Sequence, residues 1–119
     1  MDQLPVLDES VLSSLLKFGQ PSFISKMIGL FLDCTGAHVD AMETGASQAD
    51  WPAVAFASHS LKSSSGNLGL QRLSEILRRL ELASRKGSAS ESVLLASQVR
   101  AHWEISCKAL VDYRTRLET

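Results

Sequence analysis

Ser58-His59-Ser60-Leu61-Lys62-Ser63-Ser64-Ser65-Gly66-Asn67-Leu68-Gly69 is the stretch on which the reading of this chain turns. Wound at about 100° per residue, it continues an apolar stripe that begins upstream. Trp51, Val54, Ser58, Leu61 and Leu68 fall on one side and predict the buried face of a helix. His59 points away from the centre of that stripe, with Ser63 and Gly66 on its own face one and two turns further on. Lys62 stands beside it at the edge of the same patch. The pattern predicts an accessible imidazole with a cation next to it and little bulk nearby, which is a docking platform around one reactive atom. Asn67-Leu68-Gly69 then punctuates the helix, and the chain turns back on itself.

Downstream of that turn, Leu70, Leu73, Ile76, Leu77 and Leu80 form the buried stripe of a second helix. Arg85-Lys86-Gly87 reads as its end, with cations at the negative pole of the dipole and then a glycine. Ser88-x-x-Glu91 is a capping-box pattern for a last helix in which Val99, Trp103, Ser106, Leu110, Tyr113 and Leu117 face inward. Upstream, Asp50 can cap the His59 helix, with Trp51 and Pro52 in its first turn. Before it, a helix of about six or seven turns runs from Pro21 to Gly45. Its apolar set is Phe23, Ile24, Met27, Ile28, Phe31, Leu32, Thr35 and Met42. Gly29 and Gly36 inside it cost roughly 1 kcal/mol each, which a closely packed partner would explain. Asp8 caps a short helix carrying Val11, Leu12, Leu15 and Leu16 and stopped at Gly19, and residues 1–7 form an extended lead-in. The expectation is an all-α fold: one domain over residues 1–119, an antiparallel four-helix bundle with an additional short N-terminal helix. There is no strand pattern, no internal repeat and no low-complexity segment beyond the serines at 63–65.

The totals narrow the function. A chain of 119 residues that is 45% apolar can bury one core. A net charge of −1 provides no field toward nucleic acid or an anionic membrane. Without a signal peptide or about 18 consecutive apolar residues, the expectation is a soluble, cytoplasmic protein that does not insert into membranes. Cys34 and Cys107 are far apart and lack Cys-x-x-Cys spacing, so they read as free, buried thiols in a reducing compartment. No phosphate-binding glycine loop and no metal-binding carboxylate cluster occurs, so the chain has no ATP site or cofactor of its own. His38 and His102 stand on separate helices without a paired ligand and read as structural or surface residues. Trp51 and Trp103 read as packing residues.

The quoted stretch resembles the signature of histidine-containing phosphotransfer (HPt) domains, roughly Ala-His-x-Leu-Lys-Gly-Ser-Ser/Ala-x-Asn-Leu/Ile-Gly. Two positions depart from it: Ser58 replaces alanine and Ser63 replaces the glycine that lets a partner's loops come close. The resemblance extends from Leu7-Asp8 to the last helix. It implies an HPt-type bundle in which His59 accepts a phosphoryl group. It implies partners too: receiver domains, which contribute the phosphorylated aspartate and the Mg²⁺, or a hybrid sensor histidine kinase. The chain would then be a monomeric relay of a bacterial multistep phosphorelay rather than an enzyme. The serine implies slower or more selective transfer.

The residues themselves suggest how such a site works. A neutral imidazole is nucleophilic, and a carboxylate accepting from Nδ1–H would fix its tautomer and stabilise positive charge on the ring. Glu81 is the candidate, because a hairpin turning at 67–69 brings the neighbour of buried Leu80 alongside His59. HPt domains often carry Gln or Glu at this separation. The competing reading is a solvated glutamate in an Arg/Glu-rich helix. Lys62 can neutralise phosphoryl charge, while Ser63 and Gly66 keep the docking surface flat. A non-phosphorylated bundle adaptor, regulating by docking alone, is the second functional expectation.

Overall fold

Three turns of three residues each set the course of the chain. Residues 3–119, which the computed structural model describes, form α1 (Glu9–Leu15), α2 (Pro21–Cys34), α3 (Gly36–Ser47), α4 (Trp51–Asn67), α5 (Gln71–Arg85) and α6 (Ala89–Glu118). After α3, α4 and α5 the chain closes the helix end in the same way. The amide two residues past the cap returns to a carbonyl five residues back: Asp50 to Gly45 at 2.8 Å, Leu70 to Ser65 at 3.0 Å, Ser88 to Ala83 at 3.0 Å. This double closure satisfies carbonyls that the helix end would leave bare, and it needs a left-handed residue just past the cap. Gly69 (φ +82°) and Gly87 (φ +74°) provide it, and so does Ala49 at φ +55°. Only the alanine is strained there. Ala49→Gly is expected to raise stability by about 0.5–1 kcal/mol, seen as a higher urea midpoint; an unchanged or lower midpoint would remove the strain argument.

Such short turns force antiparallel neighbours. The α2–α3 rod, α4, α5 and α6 make the four-helix bundle, α1 is the additional short helix, and no strand occurs among the described residues. The core is one cluster. Leu61, Leu70, Leu73, Ile76, Leu77, Leu80 and Leu110 are fully buried in it, with Ile24, Ile28, Val39 and Met42 from the rod. Each such side chain contributes about 1.5–3 kcal/mol of transfer free energy. Asp8 caps α1 through Ser10 N, Asp50 caps α4 through Ala53 N, and Pro21 opens α2. Residues 3–7 are not extended: they bend across the α4–α5 turn, where Leu4 O accepts from Arg72 Nε at 2.6 Å. Residues 1 and 2 of the expected lead-in lie outside the described residues.

The structure corrects the sequence reading in several places. The long helix predicted over 21–45 is two helices that share Thr35, whose dihedrals remain right-handed helical (φ −85°, ψ −17°). The Thr35 hydroxyl donates to Phe31 O at 2.5 Å and accepts from the Trp103 indole at 2.8 Å. A side chain thus enters the hydrogen-bond ladder and bends the rod. Gly29 and Gly36 have only ordinary neighbours; it is Gly45 that permits close approach, since a Cβ there would lie 2.9 Å from Val54 Cγ2. Gly45 therefore sits inside α3, which runs on to Ser47. Ser88 caps α6 without a side-chain hydrogen bond, so the capping box is not formed. Phe23 and Cys34 are exposed, each one position off the stripe that buries Ile24, Ile28, Phe31 and Thr35. Cys107 is half-buried, and burial followed by the nearby Glu104 pushes its thiol up to about 11.

Candidate functional site

The turn at Leu68–Leu70 lays α5 back along α4, so residue 59 of one faces residue 81 of the other. Ser58 and Leu61 are buried on the core side of α4. That fixes the helix rotation and turns the residue between them outward: the His59 side chain is 56% exposed. Glu81 sits next to fully buried Leu80 and keeps only 11% of its side-chain surface. A carboxylate so enclosed must be paired to remain charged.

Glu81 is paired by three side chains. Lys62 Nζ donates to Oε1 at 2.8 Å. Arg85, one turn along α5, donates to Oε2 from Nε at 3.0 Å and from its terminal nitrogen at 2.9 Å. His59 Nδ1 lies 3.3 and 3.2 Å from the two oxygens. Burial pushes the Glu81 carboxyl up, but the hydrogen bonds from Lys62, Arg85 and His59 outweigh it and hold it at about 2. A group so strongly ionised has no proton to share, so Nδ1 is the donor in this contact, and in the neutral ring the lone pair then lies at Nε2. Nε2 makes no hydrogen bond among the described residues.

Around the ring the surface is low. Ser63 is exposed and its hydroxyl folds back to donate to His59 O at 3.2 Å. Gly66 is exposed as well, and a Cβ there would meet only Ser74 Oγ, at 3.8 Å. One turn before His59, Phe56 stands 73% exposed beside Pro52. His59, Lys62 and Glu81 are thus joined by hydrogen bonds, and Ser63 and Gly66 lie exposed one and two turns further along α4. Arg85 reads in the sequence as a helix-end cation, yet its position four residues after Glu81 is also the spacing of a helical ion pair, and that pair forms. His38 and His102 lie half-buried on α3 and α6, away from this face.

The cluster links protonation to stability. An unfolded glutamate titrates near 4.5, whereas folded Glu81 and Glu75 titrate near 2, the latter through hydrogen bonds from Arg78 and Arg79. Between those values the folded chain binds fewer protons, so this stabilisation is complete above about pH 4.5 and is lost as pH falls toward 2. Urea midpoints measured from pH 6 to pH 2.5 should fall, and Glu81→Gln should flatten the decline. An unchanged slope in that variant would detach Glu81 from the acid response.

A family model described as Hpt domain matches residues 26–113. No curated protein gives a significant sequence match. Among solved structures, the chain is similar to histidine-containing phosphotransfer protein B (HptB) from Pseudomonas aeruginosa PAO1. The TM-score is 0.86 at 23% identity, covering 94% of this chain and 96% of that one. A rice protein proposed to be a histidine-containing phosphotransfer protein gives 0.75 at 18% identity, covering 96% of this chain and 85% of that one. At these identities the likeness is one of fold.

Proposed function

The chain belongs to the Hpt domain family, and from that premise we propose that it relays a phosphoryl group between aspartates of receiver domains through phosphohistidine at His59. The family's members are phosphocarriers. The observation that carries the reading is the ionised Glu81 against Nδ1 of a ring that is otherwise 56% open to a visitor. Nε2 attacks the phosphorus of a receiver's aspartyl phosphate. The Nε2–P bond forms, the P–O bond breaks, and the aspartate leaves as its carboxylate. Positive charge growing on the ring is offset by Glu81 across the Nδ1–H hydrogen bond. Lys62, whose ammonium has three donors, can hold Glu81 and still reach a phosphoryl oxygen. The receiver, or a hybrid sensor histidine kinase, supplies the remaining groups, including the Mg²⁺; His59 and its neighbours contribute the nucleophile and its charge balance. The low surface at Ser63 and Gly66 leaves room for that partner.

Incubation with a phosphorylated receiver domain and Mg²⁺ tests this directly. The chain should acquire an acid-labile, alkali-stable phosphate, and a peptide containing His59 should carry it. Stable binding to the receiver with no transfer would favour the adaptor reading instead.

A further inference from the structure

The Glu81 cluster holds more positive charge than its resting state needs. Two basic side chains, Lys62 and Arg85, share one carboxylate. They differ in freedom: Lys62 is 31% exposed and Arg85 is 58% exposed. Arg85 and the His59 ring meet at the same oxygen, with the Arg85 terminal nitrogen 2.9 Å and His59 Nδ1 3.2 Å from Oε2. The exposed guanidinium therefore flanks the Nδ1 edge of that ring, beside the carboxylate the two share.

Resting on the assignment of His59 as phosphoryl carrier, we propose that Arg85 leaves Glu81 when His59 is phosphorylated and clamps the phosphoryl oxygens. Three physical arguments support the exchange. A phosphoryl group offers a guanidinium fork two negative charges and bidentate geometry, where Glu81 offers one charge. Glu81 cannot be left bare at 11% exposure, and it is not, because Lys62 stays on Oε1. Arg85 is 58% exposed, so moving it uncovers little buried surface, and the bonds it gives up at Oε2 are replaced at the phosphoryl oxygens. Once seated, the clamp stabilises the dianionic phosphohistidine more than the metaphosphate-like transition state of its hydrolysis, whose oxygens carry less charge. Arg85 thus lengthens the time for which the chain stores its phosphoryl group.

The test is the half-life of phosphohistidine after the donor is removed. Wild type, Arg85→Lys and Arg85→Gln are compared, each also in a Glu81→Gln background, with folding checked by circular dichroism. Chains are labelled by a phosphorylated receiver and, separately, by phosphoramidate, so that altered docking cannot prevent the measurement. Arg85→Gln should shorten the half-life about five- to tenfold, Arg85→Lys should restore part of it, and the shortening should persist when Glu81 is glutamine. An unchanged half-life overturns the clamp. So does a shortening seen only when Glu81 is present, which would mean that Arg85 acts solely by holding that carboxylate. If the wild type takes no label from either donor, the phosphocarrier reading itself fails, a result distinct from both.

Discussion

His59→Gln should take up no phosphate from a phosphorylated receiver, and its melting temperature should stay within a few degrees of the wild type. The two halves of that expectation have separate causes. Uptake needs an aromatic nitrogen lone pair held outward while the second nitrogen keeps its proton on a carboxylate, an arrangement a primary amide cannot offer. Stability is indifferent because the ring is 56% exposed and lies outside the buried core of the bundle. Substitutions at such positions usually move folding free energy by no more than about 0.5 kcal/mol, and the glutamine amide retains a donor for Glu81. Label found on His59→Gln would place the acceptor elsewhere, with His38 and His102 the next nitrogens to examine. A variant that fails to fold would instead make His59 a structural residue.

The largest effect on stability is expected at a glycine. Gly69 has φ +82°, and a Cβ built there would sit 2.7 Å from Asp8 O and 2.9 Å from Val11 Cβ. The same residue accepts from Asp8 N at 2.8 Å, so the start of α1 is tied to this turn. Gly69→Ala should cost about 2–4 kcal/mol, of which about 1 comes from the left-handed backbone and the remainder from displacing α1. Gly87 is the internal control. Its φ is +74°, yet a Cβ there meets nothing within 4 Å. Gly87→Ala should therefore cost only the backbone part, about 1 kcal/mol. Urea denaturation of the two variants measures the difference, and equal losses would mean that contact with α1 contributes nothing.

Much of this arrangement is written in local sequence. The stripe of Leu70, Leu73, Ile76, Leu77 and Leu80 is buried as its spacing requires. Asp8 and Asp50 cap where short acceptors precede apolar runs. The pairing of α4 with α5 follows from Gly69, so the sequence alone places Glu81 near His59. What sequence leaves out is whatever depends on a distant partner. The bend at Thr35 exists because Trp103, 68 residues on, donates to its hydroxyl, and no helical period encodes that contact. Gly45 reads as a stop but is an aperture for Val54. Arg85 has two local explanations, a helix-end cation and a partner for Glu81, and only its position against the carboxylate decides between them. The capping box at Ser88 failed for a related reason: the backbone turn through Gly87 already orders that end, and the Ser88 hydroxyl makes no capping bond.

His59, Lys62, Glu81 and Arg85 all belong to the single hairpin made by α4 and α5. Among the described residues, the remainder of the chain holds that hairpin in shape but donates no atom to the cluster around Glu81. The reactive unit is therefore portable: grafted as residues 51–85 onto another bundle with a matching apolar seam, it should carry its chemistry along. Selection on specificity, in turn, is free to rework α1, the bent rod and α6 without retuning the nucleophile.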